Sequence, residues 1–304
     1  MAVDSSRPIP IICGPTGSGK TAVALELADR YPIEIVSADS RQVIKHLNIG
    51  TAKPTVDQRR RVQFHLLDII EPGERYSVRR FIDEAGQTIQ DILGRGRIPV
   101  VVGGTGLYLR ALSEGVVEVD EDGMGLRERL QREMDELGPE VMHERLHKID
   151  PQEAARIHPN NRVRIVRALE IFFLTGRTKS ELVATGAYKK SDFSFEYRCL
   201  APPREQLYGR INDRVDQMMA DGLLEELQEL IARGMKEGIR KAGVIGYSEL
   251  LDHLDGRWTL PEAVALVKQN SRRYAKRQMT WFRHQAKTSF FPDGSSLTRD
   301  LCLG

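Results

Sequence analysis

The feature that most constrains this chain is a glycine-rich stretch near its start. It reads Gly14-Pro15-Thr16-Gly17-Ser18-Gly19-Lys20-Thr21 and lies between an apolar run at 9–13 and a helix-like segment at 22–28. This is the G-x-x-x-x-G-K-T pattern in a strand–loop–helix setting, so we call residues 14–21 the phosphate loop. Its backbone N–H groups can turn inward around an anion, and the helix N-terminus adds partial positive charge. All eight residues are therefore predicted to bind a diphosphate or triphosphate, with the Lys20 ammonium on phosphate oxygens and the Thr21 hydroxyl on a phosphate-bound Mg²⁺.

The first third of the chain predicts a parallel sheet. Short apolar strands at 9–13, 34–37 and 98–102 alternate with helices at 21–31 and 78–93. This alternation favours an α/β fold, a P-loop NTPase-like parallel sheet flanked by helices. Ligands in such sheets bind beyond the carboxyl ends of the strands. The loops at 14–21, 39–42 and 103–106 should therefore meet at one rim.

A change of character near residue 118 predicts a second domain. The region 126–174 is charged and helical, with breaks at 138–139, 150–151 and 159–160. Strand-like residues return at 193–200, and helices follow at 204–221, 223–233, 247–254 and 261–286. We expect a core domain of residues 1–117 and 198–304 and a mainly helical insertion domain of residues 118–197.

Composition indicates an ordinary soluble protein. Hydrophobic residues make up 40% and charged residues 29% of the 304 positions, and no apolar run is long enough to span a bilayer. The N-terminus lacks the build of a signal peptide. Cys13, Cys199 and Cys302 form no C-x-x-C pair, so the expectation is idle thiols in a reducing cytoplasm.

A basic tract at 268–287 predicts an anionic partner. The net charge of the chain is only +2, yet this tract holds seven Lys and Arg residues and no acid. Tyr274, Trp281 and Phe282 interleave with the charges. They are suited either to stacking on bases or to packing in a core.

Other candidate groups follow the strands. Asp39 is suited to act as a general base or a magnesium-shell ligand, or else to cap a helix. In Gly103-Gly104-Thr105-Gly106 the threonine offers a hydroxyl and the glycines would leave room for a ligand, whereas Asp68 is expected to be structural.

The segment after Asn161 reads as a helix. Arg164 and Arg167 would share one face of it, either as a solvated surface or as a phosphate site. Val163, Val166 and Leu169 would pack inward.

Several longer motifs resemble a known family. GPTGSGKT, SADSRQVIKHLNIGTAKP, HLLDIIEPGERYSVRRF, VVVGGTGLYLRAL, NRVRIVRALEIFFLTGRTKSEL, IGYSEL and RRYAKRQMTWFR occur in this order between about residues 10 and 286. Together they closely resemble the bacterial tRNA dimethylallyltransferases of the IPP transferase family. The C-terminal zinc finger of eukaryotic members has no counterpart.

The resemblance implies transfer of a dimethylallyl group from dimethylallyl diphosphate to N6 of adenosine 37 in tRNA, beside the anticodon. Asp39 would be the general base, and Lys20 and Thr105 would assist the diphosphate, with Mg²⁺ on Thr21. Arg210 or Arg214 would reach the same oxygens. The insertion domain would contact the anticodon stem-loop of the tRNA, and the family suggests a monomer. Residues implied to contact tRNA are Asp39, Ser40, Arg41, Gln42, Thr105, Arg127, Val163, Arg164, Ile165, Val166, Arg167, Arg272, Arg273, Lys276, Arg277 and Arg283.

Three alternatives stay open at this stage. An adenylate isopentenyltransferase would use the same donor on a free nucleotide, but would need neither the insertion nor the basic tract. A P-loop kinase of a small metabolite would consume ATP. A phosphate-gated RNA-binding module would bind tRNA without changing it covalently.

Overall fold

The chain forms two compact units. A computed structural model describes residues 7–115, 124–186, 191–285, 288–301 and 303. The first unit comprises Met1–Ser113 with Asp192–Gly304, and the second comprises Glu114–Ser191. The expected boundary between residues 197 and 198 differs from this division. It would cut a strand at Phe195–Leu200 that pairs along its length with the first strand of the sheet.

The first unit contains a parallel sheet. Its strands are β1 (Ile9–Cys13), β2 (Ile33–Ser37), β3 (Phe64–His65), β4 (Ile98–Gly103), β5 (Phe195–Leu200) and β6 (Thr288–Phe291). They lie in the order β3-β2-β4-β1-β5-β6, and every pair is parallel. The predicted α/β fold is therefore confirmed. The short edge strands β3 and β6 were not predicted.

Helices cover the sheet of the first unit, and the helices within residues 124–184 form the second unit. In chain order they are α1 (Lys20–Ala28), α2 (Val56–Arg61), α3 (Val78–Gly94), α4 (Gly106–Glu114), α5 (Met124–Ile149), α6 (Pro151–Ala155), α7 (Arg162–Thr175), α8 (Lys179–Ala184), α9 (Arg204–Ala220), α10 (Leu223–Ala232), α11 (Lys236–Ala242), α12 (Tyr247–Leu254), α13 (Leu260–Arg283) and α14 (Gly294–Asp300). The sequence did not predict α2, α4, α8, α11 and α14 as separate helices.

Alternation along β1 explains why both faces of the sheet are covered. Ile11 packs with Phe81 of α3 and Phe282 of α13 on one face. Ile12 packs with Leu27 of α1 and Leu297 of α14 on the other. Successive side chains of a strand point to opposite faces, so a continuously apolar strand requires a helical layer on each side.

The second unit is helical, and its breaks have local causes. Gly138 has φ 83° inside α5, followed by Pro139, so the helix is interrupted there. The Asp150 side chain caps α6, and the Asn161 side chain caps α7. All three predicted breaks are thus confirmed. Leu130, Met134, Ile165 and Leu169 belong to the core of this unit.

The structure also bears on the expectations for the cysteines and for membrane-spanning segments. Cys13 and Cys199 are free, buried thiols that stand opposite each other on β1 and β5, and Cys302 lies outside the described residues. Among the residues described, none of the helices is both long and apolar enough to cross a membrane.

Candidate active site

Three strand-end loops of the first unit line one cavity of about 1000 Å³. The phosphate loop after β1 contributes Lys20, the loop after β2 contributes Asp39, and the loop after β4 contributes Gly104. Helices α9 and α13 close the space with Arg214 and Gln278. The predicted meeting of these loops at one rim is therefore what the parallel topology produces.

The phosphate loop has the backbone conformation that its glycines allow. Gly14, Gly17 and Gly19 have φ of 144°, 78° and 97°. A Cβ on Gly14 would also lie 2.6 Å from the carbonyl oxygen of Leu200. Because α1 begins at Lys20 without a side-chain cap from Gly19, its first N–H groups are suited to an anion.

Lys20 folds back onto its own loop. Its Nζ donates to the carbonyl oxygens of Gly14 at 2.9 Å and Pro15 at 2.8 Å. Burial lowers the pKa of Lys20 to about 8, the negative charge of Asp39 opposes this shift, and the positive charge of Arg214 adds to it. Burial likewise lowers the pKa of Arg214, again opposed by Asp39. Two half-buried cations with lowered pKa values would both be stabilised by a bound anion.

Asp39 lies at the centre of this charge pattern. Its Oδ1 accepts a hydrogen bond of 2.8 Å from the backbone N–H of Arg41, so it closes a turn while its side chain lines the cavity. Burial, with the Asp39 charge as a second cause, raises the pKa of Tyr108 to about 12. The same two causes raise the pKa of Tyr274. Turn formation and a role at the cavity are therefore compatible for Asp39.

Thr105 joins the loop after β4 to the loop after β2. It is not among the residues that line the cavity. Its Oγ1 accepts from the backbone N–H of Ser40 at 2.9 Å and donates to Ser40 Oγ at 3.3 Å. Its backbone N–H donates to the carbonyl of Ala38. These bonds hold the segment that carries Asp39 against the loop after β4.

The glycines around Thr105 make room for neighbouring protein atoms, and Gly104 also lines the cavity. A Cβ on Gly103 would lie 2.2 Å from the Ala38 carbonyl oxygen. On Gly104 it would lie 2.4 Å from Gln278 Nε2, and on Gly106 it would lie 2.4 Å from the Trp281 ring. The Gly-Gly-Thr-Gly sequence therefore reflects how closely the segment after β2 and helix α13 approach this loop.

Two other residues of the Asp39 loop hold neighbouring backbone. Gln42 Nε2 donates to the carbonyls of Thr51 at 3.3 Å and Ala52 at 3.0 Å. Arg41 is exposed, and its Nη1 donates to the carbonyl of Ala242 at 2.8 Å. Both side chains line the cavity, so they shape the loop from which Asp39 projects.

Asp68 forms ion pairs that fit the expected structural role, and it also lines the cavity. Its carboxylate bonds to Nζ of Lys53 at 2.5 Å and to Nη1 of Arg59 at 3.1 Å. Lys53 is almost fully buried, and desolvation lowers its pKa while Asp68 raises it. This ion pair holds the turn of a segment that forms the cavity wall.

The two predicted arginines of α9 differ. Arg214 is half-buried and lines the cavity beside Lys20, whereas Arg210 is exposed and outside the described lining. Two residues four apart on a helix lie on the same side of it. Helix α9 nevertheless packs so that only Arg214 faces the phosphate loop. Arg214 is thus the better candidate for diphosphate contact.

Helix α13 has a buried face and a basic face. Phe282 is completely buried, so it is a core residue and not available to stack on bases. Tyr274 lines the cavity, with the Arg277 guanidinium 5.6 Å from its ring centre. Arg272 bonds to Asn212 Oδ1 at 2.5 Å. The exposed basic residues are Arg273, Lys276, Arg277 and Arg283.

One expectation for α7 of the second unit was wrong, and the predicted contact of its first turns with tRNA stays a prediction. Ile165 and Val166 are buried in the core at 0% and 2% exposure, so such a contact would fall to the backbone and to the exposed side chains of this segment. Val163 does not pack inward; it is 69% exposed. The 3.6-residue period places residues 165, 166 and 169 on the apolar face, which leaves 163 and 164 outside.

The predicted arginines of this unit differ in their partners. Arg167 Nη1 bonds to the buried carboxylate of Glu170 at 2.7 Å, and Arg127 Nε lies 4.0 Å from it. Arg164 is exposed, and only its backbone N–H takes part in the Asn161 cap. Arg164 is therefore the more accessible cation.

The donor set of the cavity suits Mg²⁺ carried by a ligand. Within the described residues no three His, Cys, Asp or Glu side chains are grouped to hold a metal ion. Thr21 and Asp39 line the cavity, and Mg²⁺ often takes one or two protein oxygens with phosphate and water as the rest. Ser18 Oγ in the phosphate loop is a buried hydroxyl without a hydrogen-bond partner among the described residues, so it is available for one more polar contact.

Sequence reasoning missed Gln278. It is 8% exposed, and it stands on the buried face of α13 with Ala275 and Phe282. A polar residue in an apolar helical stripe was the available signal, because a buried amide needs partners.

The fold defines an α/β protein of the P-loop class, and the charges in its cavity suit a phosphate-bearing ligand. A model of the IPP transferase family matches residues 42–285, and one of the isopentenyl transferase family matches 8–68. The chain belongs to the IPP transferase family.

Three relatives match this chain over most of its residues. The tRNA dimethylallyltransferase of Geobacter metallireducens is 46% identical over 291 residues, covering 94% of this chain and 93% of the relative. The structure of a full-length tRNA isopentenylpyrophosphate transferase from Bacillus halodurans has a TM-score of 0.68 and 41% identity, covering 96% and 93% of the two chains. A eukaryotic dimethylallyltransferase acting on tRNA has a TM-score of 0.82 and 30% identity, covering 97% of this chain and 75% of that one.

Proposed function

We propose that this enzyme transfers the dimethylallyl group from dimethylallyl diphosphate to N6 of adenosine 37 in tRNA and releases diphosphate. Family membership supports the coarser activity, transfer of a dimethylallyl group to tRNA. The observation that carries the finer proposal is the cavity in which Lys20, Arg214 and Asp39 lie together. It offers cations for a leaving diphosphate and a carboxylate for the attacking amine.

The diphosphate would leave from the phosphate loop. As the allylic C–O bond breaks, its electron pair stays on the diphosphate, whose charge Lys20, Arg214 and the loop N–H groups would stabilise. Mg²⁺ held by the Thr21 hydroxyl would supply further charge neutralisation to the diphosphate oxygens. The backbone at Gly14, Gly17 and Gly19 is already in a conformation that suits an anion.

Asp39 would take the proton of the nucleophile. The N6 lone pair forms a bond to the allylic carbon, and the N6 proton passes to the Asp39 carboxylate, so no charged ammonium accumulates. The hydrogen bond from Arg41 N–H keeps Oδ1 in place, which leaves the second carboxylate oxygen for the amine.

The adenosine would reach the cavity by leaving the stack of the anticodon loop. Unstacking costs a few kcal/mol, and phosphate contacts would offset this cost. Exposed cations on α13 and Arg164 in the second unit are suited to those contacts. We further propose that the second unit contacts the anticodon stem-loop and that the protein works as a monomer in the cytoplasm.

A transfer assay tests this function. The purified protein is incubated with radiolabelled dimethylallyl diphosphate, Mg²⁺ and unmodified tRNA, with AMP and ATP in parallel reactions. We expect label in tRNA that disappears when adenosine 37 is changed. Label in AMP would instead assign a free-nucleotide transferase. ATP consumption with a phosphorylated product would assign a kinase, and tRNA binding without label would assign a binding module.

Asp39→Asn tests the role of the base. Transfer should slow by a factor on the order of 10² or more, because the amide cannot accept the amine proton. The affinity for tRNA should change little. Asp83→Asn on the exposed side of α3 is the matched control. An undiminished transfer rate in Asp39→Asn would remove Asp39 as the base.

A further inference from the structure

Gln278 bridges two loops of the cavity. Its Oε1 accepts a hydrogen bond of 2.9 Å from the backbone N–H of Thr16 in the phosphate loop. Its Nε2 donates at 2.9 Å to the carbonyl of Gly104 in the loop after β4. The two partners fix the orientation of the amide, since one atom must accept and the other must donate.

The hydrogen bond from Thr16 N–H to Gln278 affects the position of the Lys20 ammonium. Thr16 N–H and the Pro15 carbonyl belong to the same planar peptide unit. Gln278 holds the N–H side of this unit, and Lys20 Nζ holds its carbonyl side at 2.8 Å. Loss of the Gln278 acceptor would free this peptide to rotate and would change the place of the Lys20 ammonium.

The hydrogen bond from Gln278 to the Gly104 carbonyl connects helix α13 to the segment that carries Asp39. Gly104 is followed by Thr105, whose Oγ1 accepts from Ser40 N–H at 2.9 Å. Ser40 adjoins Asp39, whose carboxylate lines the cavity. A continuous chain of hydrogen bonds and backbone therefore runs from the phosphate loop through Gln278 to the carboxylate.

Close packing makes this bridge rigid. Gly104 carries no Cβ where one would lie 2.4 Å from Nε2, so the amide rests directly on the loop backbone. Ala275 and Phe282 are fully buried and anchor α13 on either side of Gln278.

We propose that Gln278 is a positioning residue that sets the diphosphate-binding loop relative to Asp39. This inference rests on the proposed function, because it concerns the distance between the leaving group and the base. Misplacement by about 1 Å can cost 10²-fold in rate. A buried glutamine that served stability alone would not affect ligand affinity in the folded protein.

Two variants separate the bonds. Gln278→Met keeps the length of the side chain and removes both hydrogen bonds. Gln278→Glu keeps an acceptor for Thr16 N–H, but when ionised it cannot donate to the Gly104 carbonyl. Gln90→Glu on the exposed side of α3 is the matched control.

The measurements are the dissociation constant for inorganic diphosphate with Mg²⁺, the kcat and KM of transfer, and the melting temperature. For Gln278→Met we expect diphosphate affinity to fall about tenfold and kcat/KM to fall between ten- and a hundredfold, at temperatures well below melting. For Gln278→Glu we expect the affinity, relative to wild type at each pH, to recover as pH falls, since the protonated acid can again donate. Gln90→Glu should match wild type.

Each result has one meaning. A Gln278→Met protein that melts at a lower temperature but binds diphosphate normally would overturn the proposal. A Gln278→Glu protein with the same pH profile as wild type would also overturn it, and this variant serves if Gln278→Met does not fold. A wild-type protein that fails to label tRNA would overturn the proposed function alone, because diphosphate binding would still test Gln278.

Discussion

Adding one methyl group at Gly106 should destabilise the protein through Trp281. A Cβ at this position would lie 2.4, 2.6 and 2.7 Å from three atoms of the indole ring. Carbon atoms pack at about 3.5–4.0 Å, so the rigid ring must move by about 1 Å or more. Overpacking of this kind costs about 1–3 kcal/mol, and the gain in helix propensity at the first residue of α4 is smaller.

Urea unfolding followed by circular dichroism measures this effect. With an m-value of about 3 kcal/mol per molar, the midpoint for Gly106→Ala should fall by roughly 0.3–1 M. Gly86→Ala is the matched control, because a Cβ there meets no atom within 4 Å in the interior of α3. It should raise stability by about 1 kcal/mol.

A double variant identifies the ring as the cause. In a Trp281→Leu background the cost of Gly106→Ala should shrink towards zero, which gives a coupling free energy of about 1–3 kcal/mol. The reasoning is refuted if Gly106→Ala costs the same in both backgrounds, or if it stabilises the protein as Gly86→Ala does.

Three further perturbations test the site and the units. Burial lowers the pKa of Lys20 to about 8, so between pH 7 and pH 9 the ammonium is lost and calorimetry should show roughly tenfold weaker binding of dimethylallyl diphosphate. In Lys20→Ala the affinity for dimethylallyl diphosphate should no longer fall between pH 7 and pH 9. An equal pH dependence in both proteins would exclude Lys20 as its source. Lys53→Met leaves the carboxylate of Asp68 with only its exposed partner Arg59 and should lower the free energy of unfolding by about 1–3 kcal/mol in urea titrations, whereas a change under about 1 kcal/mol would contradict a structural ion pair. Arg164→Ala should reduce the salt slope of tRNA binding by about 1, and Arg167→Ala should reduce it less because Glu170 already pairs with that guanidinium; equal slopes would argue against this ranking.

Local sequence determined the elements that carry their own signals. The phosphate loop, the strands at Ile9–Cys13 and Ile98–Gly103, and the helix at Tyr247–Leu254 follow from apolar runs, glycines and helical periodicity. The break at Gly138 was also readable, because glycine followed by proline ends a helix by sterics alone. The edge strands β3 and β6 could not be predicted, because two to four residues are too few to show an alternation of apolar and polar side chains.

Tertiary structure decided which side chains meet. Arg210 and Arg214 are equivalent in sequence, and only the docking of α9 turns Arg214 towards Lys20. The glycines at 104 and 106 look like space for a ligand until α13, more than 150 residues later, brings Gln278 and Trp281 against them. The sequence alone was therefore enough to predict a phosphate-binding loop and a carboxylate at a neighbouring strand end, because a turn and its helix are local. The spacing of those groups depends on contacts between distant segments, which no local pattern encodes.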